Sequence, residues 1–342
     1  MHLICCSTNL CVNIVMSQIL NDTKTSFILL TDLDSILLLF NELKLPNVEI
    51  FHIKKTADIN FIQIIKEKNR IRKYLRSKEI DYCYFYHQAF GGIYNWTITY
   101  LSHRKHKILF NRVTPPIELP RARGVNAIKQ TIIYKVIYNT EITCLNRGNH
   151  IILPQLSKAF FQKNKIEFID ITPQHEKNER YICQKFLPNI NRLKNKIVLL
   201  TGSVVESLQV DQNEYKEKIN LLINEIGKEQ IISKRHPRFN DLIGIEKELF
   251  QLPYFIPMDL FKNSFSIYIG YNSTLLAEAA NNGALSISLI NYMNPIDCNR
   301  RNNWFKYFEN ILKEGKQIHY PQTLSEIILL LNPHKQHYAK NQ

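Results

Sequence analysis

Two short segments in the last third of the chain carry residue types that can do chemistry together. The first, Ile231-Ile232-Ser233-Lys234-Arg235-His236-Pro237-Arg238, is an apolar run that ends in cations and a histidine. The second, Tyr268-Ile269-Gly270-Tyr271-Asn272-Ser273-Thr274-Leu275-Leu276-Ala277-Glu278, is an apolar run that ends in hydroxyls and opens straight into a helical pattern. In an open parallel sheet, strand ends of this kind face one crevice, where ligands bind. Lys234, Arg235 and Arg238 would offset negative charge, and the hydroxyls and free N–H groups of a helix start suit a phosphate. Together they describe a site for a phosphorylated ligand. Each segment also has a plainer reading. The first fits a basic surface loop in which Pro237 ends a strand, and in the second Asn272, Ser273 or Thr274 fits an ordinary helix cap. Capping and phosphate binding are compatible.

The elements that must position these residues alternate along the chain. Strand patterns cover His2–Cys6, Ser26–Leu30, Val48–Ile53, Tyr82–Tyr86 and Lys107–Phe110. Helical patterns fall between or after them at Leu10–Leu20, Ser35–Leu43, Asn60–Ser77 and Gln130–Tyr138, followed by short apolar runs at Ile142–Leu145, His150–Leu153 and Ile166–Ile169. From Asp170 to Asn195 the chain turns polar and irregular, which marks a domain junction. The alternation then restarts, with strands at Ile197–Leu200, Gln230–Ser233, Phe265–Ile269 and Ala284–Leu289 and helices at Glu214–Ile226 and Thr274–Asn281. Strands separated by helices argue for parallel sheets built from βαβ units. The expectation is two Rossmann-like α/β domains facing across a cleft, an N-terminal one over 1–175 and a C-terminal one over 185–342.

Composition narrows the partners. A chain of 342 residues with 45% hydrophobic content is long enough for two ordinary domains. Its formal net charge of +14 favours an anionic partner. A nucleic-acid-binding protein is the competing class, but the chain has no zinc-finger, helix-turn-helix or RRM-type signature. The seven cysteines are scattered with no C-x-x-C pair, which points away from disulfides and structural zinc and toward a reducing cytosol. No run approaches the roughly 20 apolar residues of a spanning helix. The helix Ile64–Lys78 carries Lys66, Lys68, Arg70, Arg72, Lys73, Arg76 and Lys78 over a stripe of Ile64, Ile65, Ile71, Tyr74 and Leu75. It reads as a solvated face, or alternatively as a dock for anionic membrane lipid.

Lys-x-His-Pro after a strand, followed by a Gly-Tyr-Asn-Ser-Thr strand-to-helix turn, resembles the bacterial sialyltransferases of glycosyltransferase family 52. The related bacterial polysialyltransferases share the pattern. The resemblance covers the chain in outline, and its motifs match between Ile197 and Leu289. It implies a GT-B fold and an inverting transfer of sialic acid, or a related nonulosonic acid, from a CMP-activated donor. The acceptor would be a terminal sugar of a cell-surface glycan or glycolipid, such as lipooligosaccharide or capsule. In the resembled enzymes the His-Pro histidine contacts the CMP phosphate and helps the nucleotide leave, which places His236 as acid or charge stabiliser. Ser273 and Thr274 match the hydroxyl pair, with Thr in place of the second Ser. Gly202, Ser203, Lys234, Arg235, Pro237, Gly270 and Asn272 complete the expected substrate-binding set. No cofactor or metal is expected, the CMP-sugar being a substrate. The family's acidic residue lies after the first strand of the second domain, where Asp211 is the first choice of base, ahead of Glu214 and Glu206. Another CMP-linked keto sugar as donor remains an alternative. The implied setting is the cytoplasm, with contact to the inner face of an anionic membrane, and a homodimer is compatible with it.

Three features fall outside this match. Related families carry two acidic residues and a glycine after an N-domain strand, whereas Lys107–Phe110 is followed by Asn111-Arg112-Val113. Asp32-Leu33-Asp34 has the form of a metal-binding D-x-D, but between a strand and a helix it reads as an N-cap. The loop His87–Trp96, with Gly91-Gly92, is a turn or an acceptor-side loop whose aromatics stack on sugar rings.

Overall fold

The computed structural model describes residues 1–54, 61–86, 92–111, 120–147, 151–190, 193, 195–201, 204–205, 209–236, 245–261 and 264–339. Gly202, Ser203, Glu206, Pro237 and Arg238 lie outside these residues, as do Arg112, Val113 and the loop from His87 to Gly91. The chain divides into two compact units, Met1–His175 and Glu176–Gln342.

The first unit runs β1 (His2–Cys5), α1 (Val12–Asn21), β2 (Phe27–Thr31), α2 (Asp34–Leu43), β3 (Val48–His52), α3 (Phe61–Arg76), β4 (Tyr82–Phe85), α4 (Gly92–His103) and β5 (Lys107–Asn111). It continues through α5 (Val125–Tyr138), β6 (Ile142–Arg147), β7 (Ile151–Leu156), α6 (Lys158–Lys163) and β8 (Glu167–Ile169). Six strands form one parallel sheet in the order β3-β2-β1-β4-β5-β8, and β6 and β7 pair as a separate antiparallel hairpin. Every residue of β2 is buried, as a central strand covered on both faces requires.

The second unit begins with α7 (His175–Phe186) and continues through β9 (Ile197–Thr201), α8 (Gln212–Ile226), β10 (Ile231–Arg235), β11 (Phe250–Gln251) and β12 (Ile267–Gly270). It ends with α9 (Thr274–Asn281), β13 (Leu285–Ser288), α10 (Cys298–Ile311) and α11 (Leu324–Ala339). Its five strands are parallel in the order β11-β10-β9-β12-β13. In both units the first strand lies between neighbours reached in opposite directions, the doubly wound arrangement whose switch points are β1/β4 and β9/β12. The chain is an α/β protein of two Rossmann-like units.

Three sequence expectations need correction. The stretch His87–Trp96, read as a turn or acceptor-side loop, is helical from Gly92 onward, and its Tyr94 and Trp96 are buried in the first unit's core rather than presented to a sugar. The stretch read as irregular holds α7, whose polar sequence hides a narrow buried stripe of Asn178, Ile182 and Cys183. In α3, Ile65 is exposed, and Glu67 takes an inward place beside Ile64, Ile71 and Leu75. Glu67 is tolerated there because Lys54 N–H (3.1 Å) and Arg70 Nε (3.0 Å) donate to its carboxylate.

Candidate functional site at the carboxyl ends of the second sheet

Strand pairing sets the geometry. Arg235 of β10 is opposite Thr201 of β9, and Gly270 of β12 is opposite Leu200. The carboxyl ends of β10, β9 and β12 therefore stop at one level, with β9 between the other two. Adjacent strands are about 4.8 Å apart, so the outer ends are separated by roughly 10 Å. His236 extends the ladder by one step, its N–H donating to Thr201 O at 3.0 Å. A Cβ on Gly270 would stand 3.0 Å from Leu200 Cβ, so glycine lets β12 lie close to β9 at the switch point.

The cations do not all face outward. Lys234 is 3% exposed, and its Nζ donates to the carbonyls of Arg235 and Tyr254, each at 3.1 Å. Burial, reinforced by the Arg235 charge and opposed by Asp259, pushes its pKa down to about 7. Lys234 thus lies under the rim and contributes only part of a charge at neutral pH. Arg235 packs its guanidinium 4.9 Å from the Tyr254 ring centre. Neighbouring residues of β10 grip Tyr254 by its carbonyl and by its ring. Tyr254 was not singled out from the sequence, because it lies 19 residues from Arg235 with only a Pro253-Tyr254-Phe255 run to mark it.

Across the switch point, Ser273 caps α9 with its Oγ accepting from Leu275 N–H at 3.3 Å, and Thr274 is the first helical residue. Asn272 is buried and donates its Nδ2 to Gln209 Oε1 at 2.6 Å. Gln209 in turn accepts from Ile296 N–H at 2.9 Å through its carbonyl. This amide pair ties the loop before α8 to the turn before α9. Asp211, two residues beyond Gln209, is exposed and caps α8, accepting from Asn213 N–H (2.8 Å) and Glu214 N–H (3.3 Å). Glu214 accepts from Asn294 N–H at 2.6 Å and so holds the segment between β13 and α10. That segment leads to Arg301, whose charge acts on Tyr271 against the burial that raises the phenol to about 12. The site brings together Arg235, His236, Gly270, Asn272, Ser273 and Thr274, with Asp211 one tethered loop away. Gln209 and Arg301 are additions to the sequence reading, in which Tyr271 stood only as part of the Gly-Tyr-Asn-Ser-Thr turn.

The first sheet ends differently. Asp32, just past β2, accepts from Tyr94 Oη at 2.7 Å, and its own N–H donates to the same oxygen at 2.6 Å. It does not cap α2, whose cap is Leu33, with no side-chain hydrogen bond. The reason is Tyr94: its buried hydroxyl needs an acceptor, and Asp32 supplies one. Asp34 opens α2 with Oδ1 3.5 Å from His52 Nε2. Asn111 donates to Ile171 O at 3.3 Å. Among the described residues no group of three or more His, Cys, Asp or Glu side chains is arranged to hold a metal ion, and no helix is long and apolar enough to cross a membrane.

No protein-family model matches the chain, and no curated protein does. Among solved structures it is similar to the UDP-GlcNAc 2-epimerase of Neisseria meningitidis bound to UDP-GlcNAc (10% identity, TM-score 0.48, 99% of this chain and 93% of that one). It is similar also to the UDP-GlcNAc 2-epimerase of Methanocaldococcus jannaschii (16% identity, TM-score 0.47, covering 97% and 99%). A third is the E. coli heptosyltransferase WaaC with ADP-2-deoxy-2-fluoro heptose (12% identity, TM-score 0.40, covering 99% of each chain). At these values no residue role carries over from any of the three to this chain.

Proposed function

We propose that this chain is a GT-B glycosyltransferase that moves sialic acid or a related nonulosonic acid from a CMP-activated donor to a terminal sugar of a cell-surface glycan. The observation that supports the reading is the convergence, at one switch point, of Arg235, His236 and the hydroxyl-capped start of α9. The donor phosphate would lie over the α9 N-terminus, held by Thr274 and the backbone N–H groups, with Arg235 offsetting its charge. His236 would stabilise or protonate the departing phosphate, the group on which charge develops. Asp211 would take the proton of the acceptor hydroxyl as it attacks the anomeric carbon. Phosphate neutralisation falls to the protein's own cations in this scheme, which calls on no metal. The setting is the cytoplasmic face of a membrane, where lipid-linked acceptors are built.

The test is CMP release and sugar transfer in a screen of CMP-sugars against lactose-like acceptors, with Asp211→Asn beside the wild type. Asn caps a helix about as well as Asp, so the variant should keep its fold and its thermal shift with CMP while losing acceptor transfer. Full transfer in Asp211→Asn would remove it as the base. No stabilisation by CMP at concentrations far above a micromolar dissociation constant would overturn the donor assignment.

A further inference from the structure

α5 is apolar on two opposite faces. One face, with Ala127, Tyr134 and Tyr138, packs on the unit's own core and on the β6–β7 hairpin. The other carries Val125 (79% exposed), Ile128 (60%), Ile132 (55%) and Val136 (74%). At 100° per residue these four fall within one arc of about 80°, and they run roughly 16 Å along the helix. Lys129 and Lys135 flank the stripe, Arg121 and Arg123 precede it, and all four are exposed. Between Arg121 and Thr140 there is no acidic residue. Contiguous exposed apolar surface bordered by charge marks an interaction site rather than ordinary surface.

Charge and area select the occupant. A second copy would bring one basic rim against another, and four side chains fall well short of the roughly 800 Å² per partner of a stable protein interface. A basic rim around a β-branched aliphatic stripe matches an anionic bilayer surface, where such a helix lies in the plane with its apolar face among the acyl chains. The cations of α3 are less suited to this task, because several engage the protein itself. Lys68 sits over the Trp96 and Tyr138 rings, Arg70 pairs with Glu67, and Lys78, just beyond the helix, pairs with Glu49. We propose that α5 is a membrane-docking helix that seats the first unit on an anionic lipid surface through Val125, Ile128, Ile132 and Val136. This assignment is independent of the transfer chemistry, and its test uses neither CMP nor an acceptor.

The experiment is co-sedimentation of the full chain with vesicles of phosphatidylglycerol or of phosphatidylcholine. The wild type should bind the phosphatidylglycerol vesicles, weakly at high salt, and bind phosphatidylcholine little. Ile128→Glu/Ile132→Glu should lower the bound fraction at least about 10-fold with an unchanged melting temperature, since both side chains face solvent. Val136→Glu alone should lower it less and serves if the double variant fails to fold. Lys129→Gln/Lys135→Gln should weaken binding and flatten its salt dependence. Wild-type binding by the Glu variants would overturn the proposal, as would absence of binding to phosphatidylglycerol. So would a solution dimer of the wild type that Ile128→Glu/Ile132→Glu splits, because the stripe would then belong to a second copy.

Discussion

The two sheets share a strand order through their first five strands, yet their carboxyl rims carry opposite chemistry. The rim of the first ends in buried thiols at Cys5 and Cys6, a carboxylate at Asp32 locked to Tyr94, and the Asn111 amide. The rim of the second ends in Arg235, His236 and a hydroxyl-capped helix start. The scaffold is indifferent to the ligand, and the one or two residues after each strand decide it. Among the described residues, the second rim is the one that sets an arginine beside a hydroxyl-capped helix start, a pairing that suits an anion.

The largest break in that comparison should come from His236→Ala. Loss of an electrostatic or acid catalyst at the leaving group should reduce turnover by roughly 100-fold or more, whereas Asp32→Asn at the first rim should leave the thermal shift with CMP unchanged. Steady-state CMP release and melting with and without CMP separate the two. Next in size is Gly270→Ala, whose new Cβ meets Leu200 Cβ at 3.0 Å. Overpacking of this kind costs about 1–3 kcal/mol, read as a lowered denaturation midpoint. Replacing Ser273 and Thr274 together by Ala should cost about 1 kcal/mol through the lost cap and largely abolish the CMP shift; a retained shift would place the phosphate elsewhere. The smallest effect near neutral pH belongs to Lys234→Met. The wild-type amine has its folded pKa lowered to about 7, while an unfolded lysine keeps its proton to about 10.4. Between these values the unfolded chain binds more protons, so this residue makes stability rise with pH across that window. Stability curves at pH 7 and pH 9.5 should lose that rise in Lys234→Met.

The strands were legible because both sheets are parallel and buried, so that runs such as Phe27-Ile28-Leu29-Leu30 stand out without alternation. α9 is found at the bounds its pattern predicts, since Ser273 and Thr274 announce the start and Gly283 follows the end. α7 was hidden because only three of its side chains are buried among charges. α10 and α11 gave no expectation either; α11 runs through Pro333, which on sequence grounds would end a helix. At the site, strand-end residues could be read one by one, but not the direction in which Lys234 points. That depends on the Tyr254 carbonyl, supplied by a loop 20 residues away. The Asn272–Gln209 pair spans 63 residues and leaves no periodic trace.

A buried amine that titrates near neutrality beside Arg235 makes the charge of this rim variable. An anion arriving above Arg235 would favour the protonated form of Lys234, and binding would then draw a fraction of a proton from the surrounding buffer. Its calorimetric heat would depend on the buffer's own ionisation enthalpy, and its affinity would tighten as pH falls through 7. If a phosphate binds there as proposed above, its arrival and the protonation of Lys234 would be one coupled event.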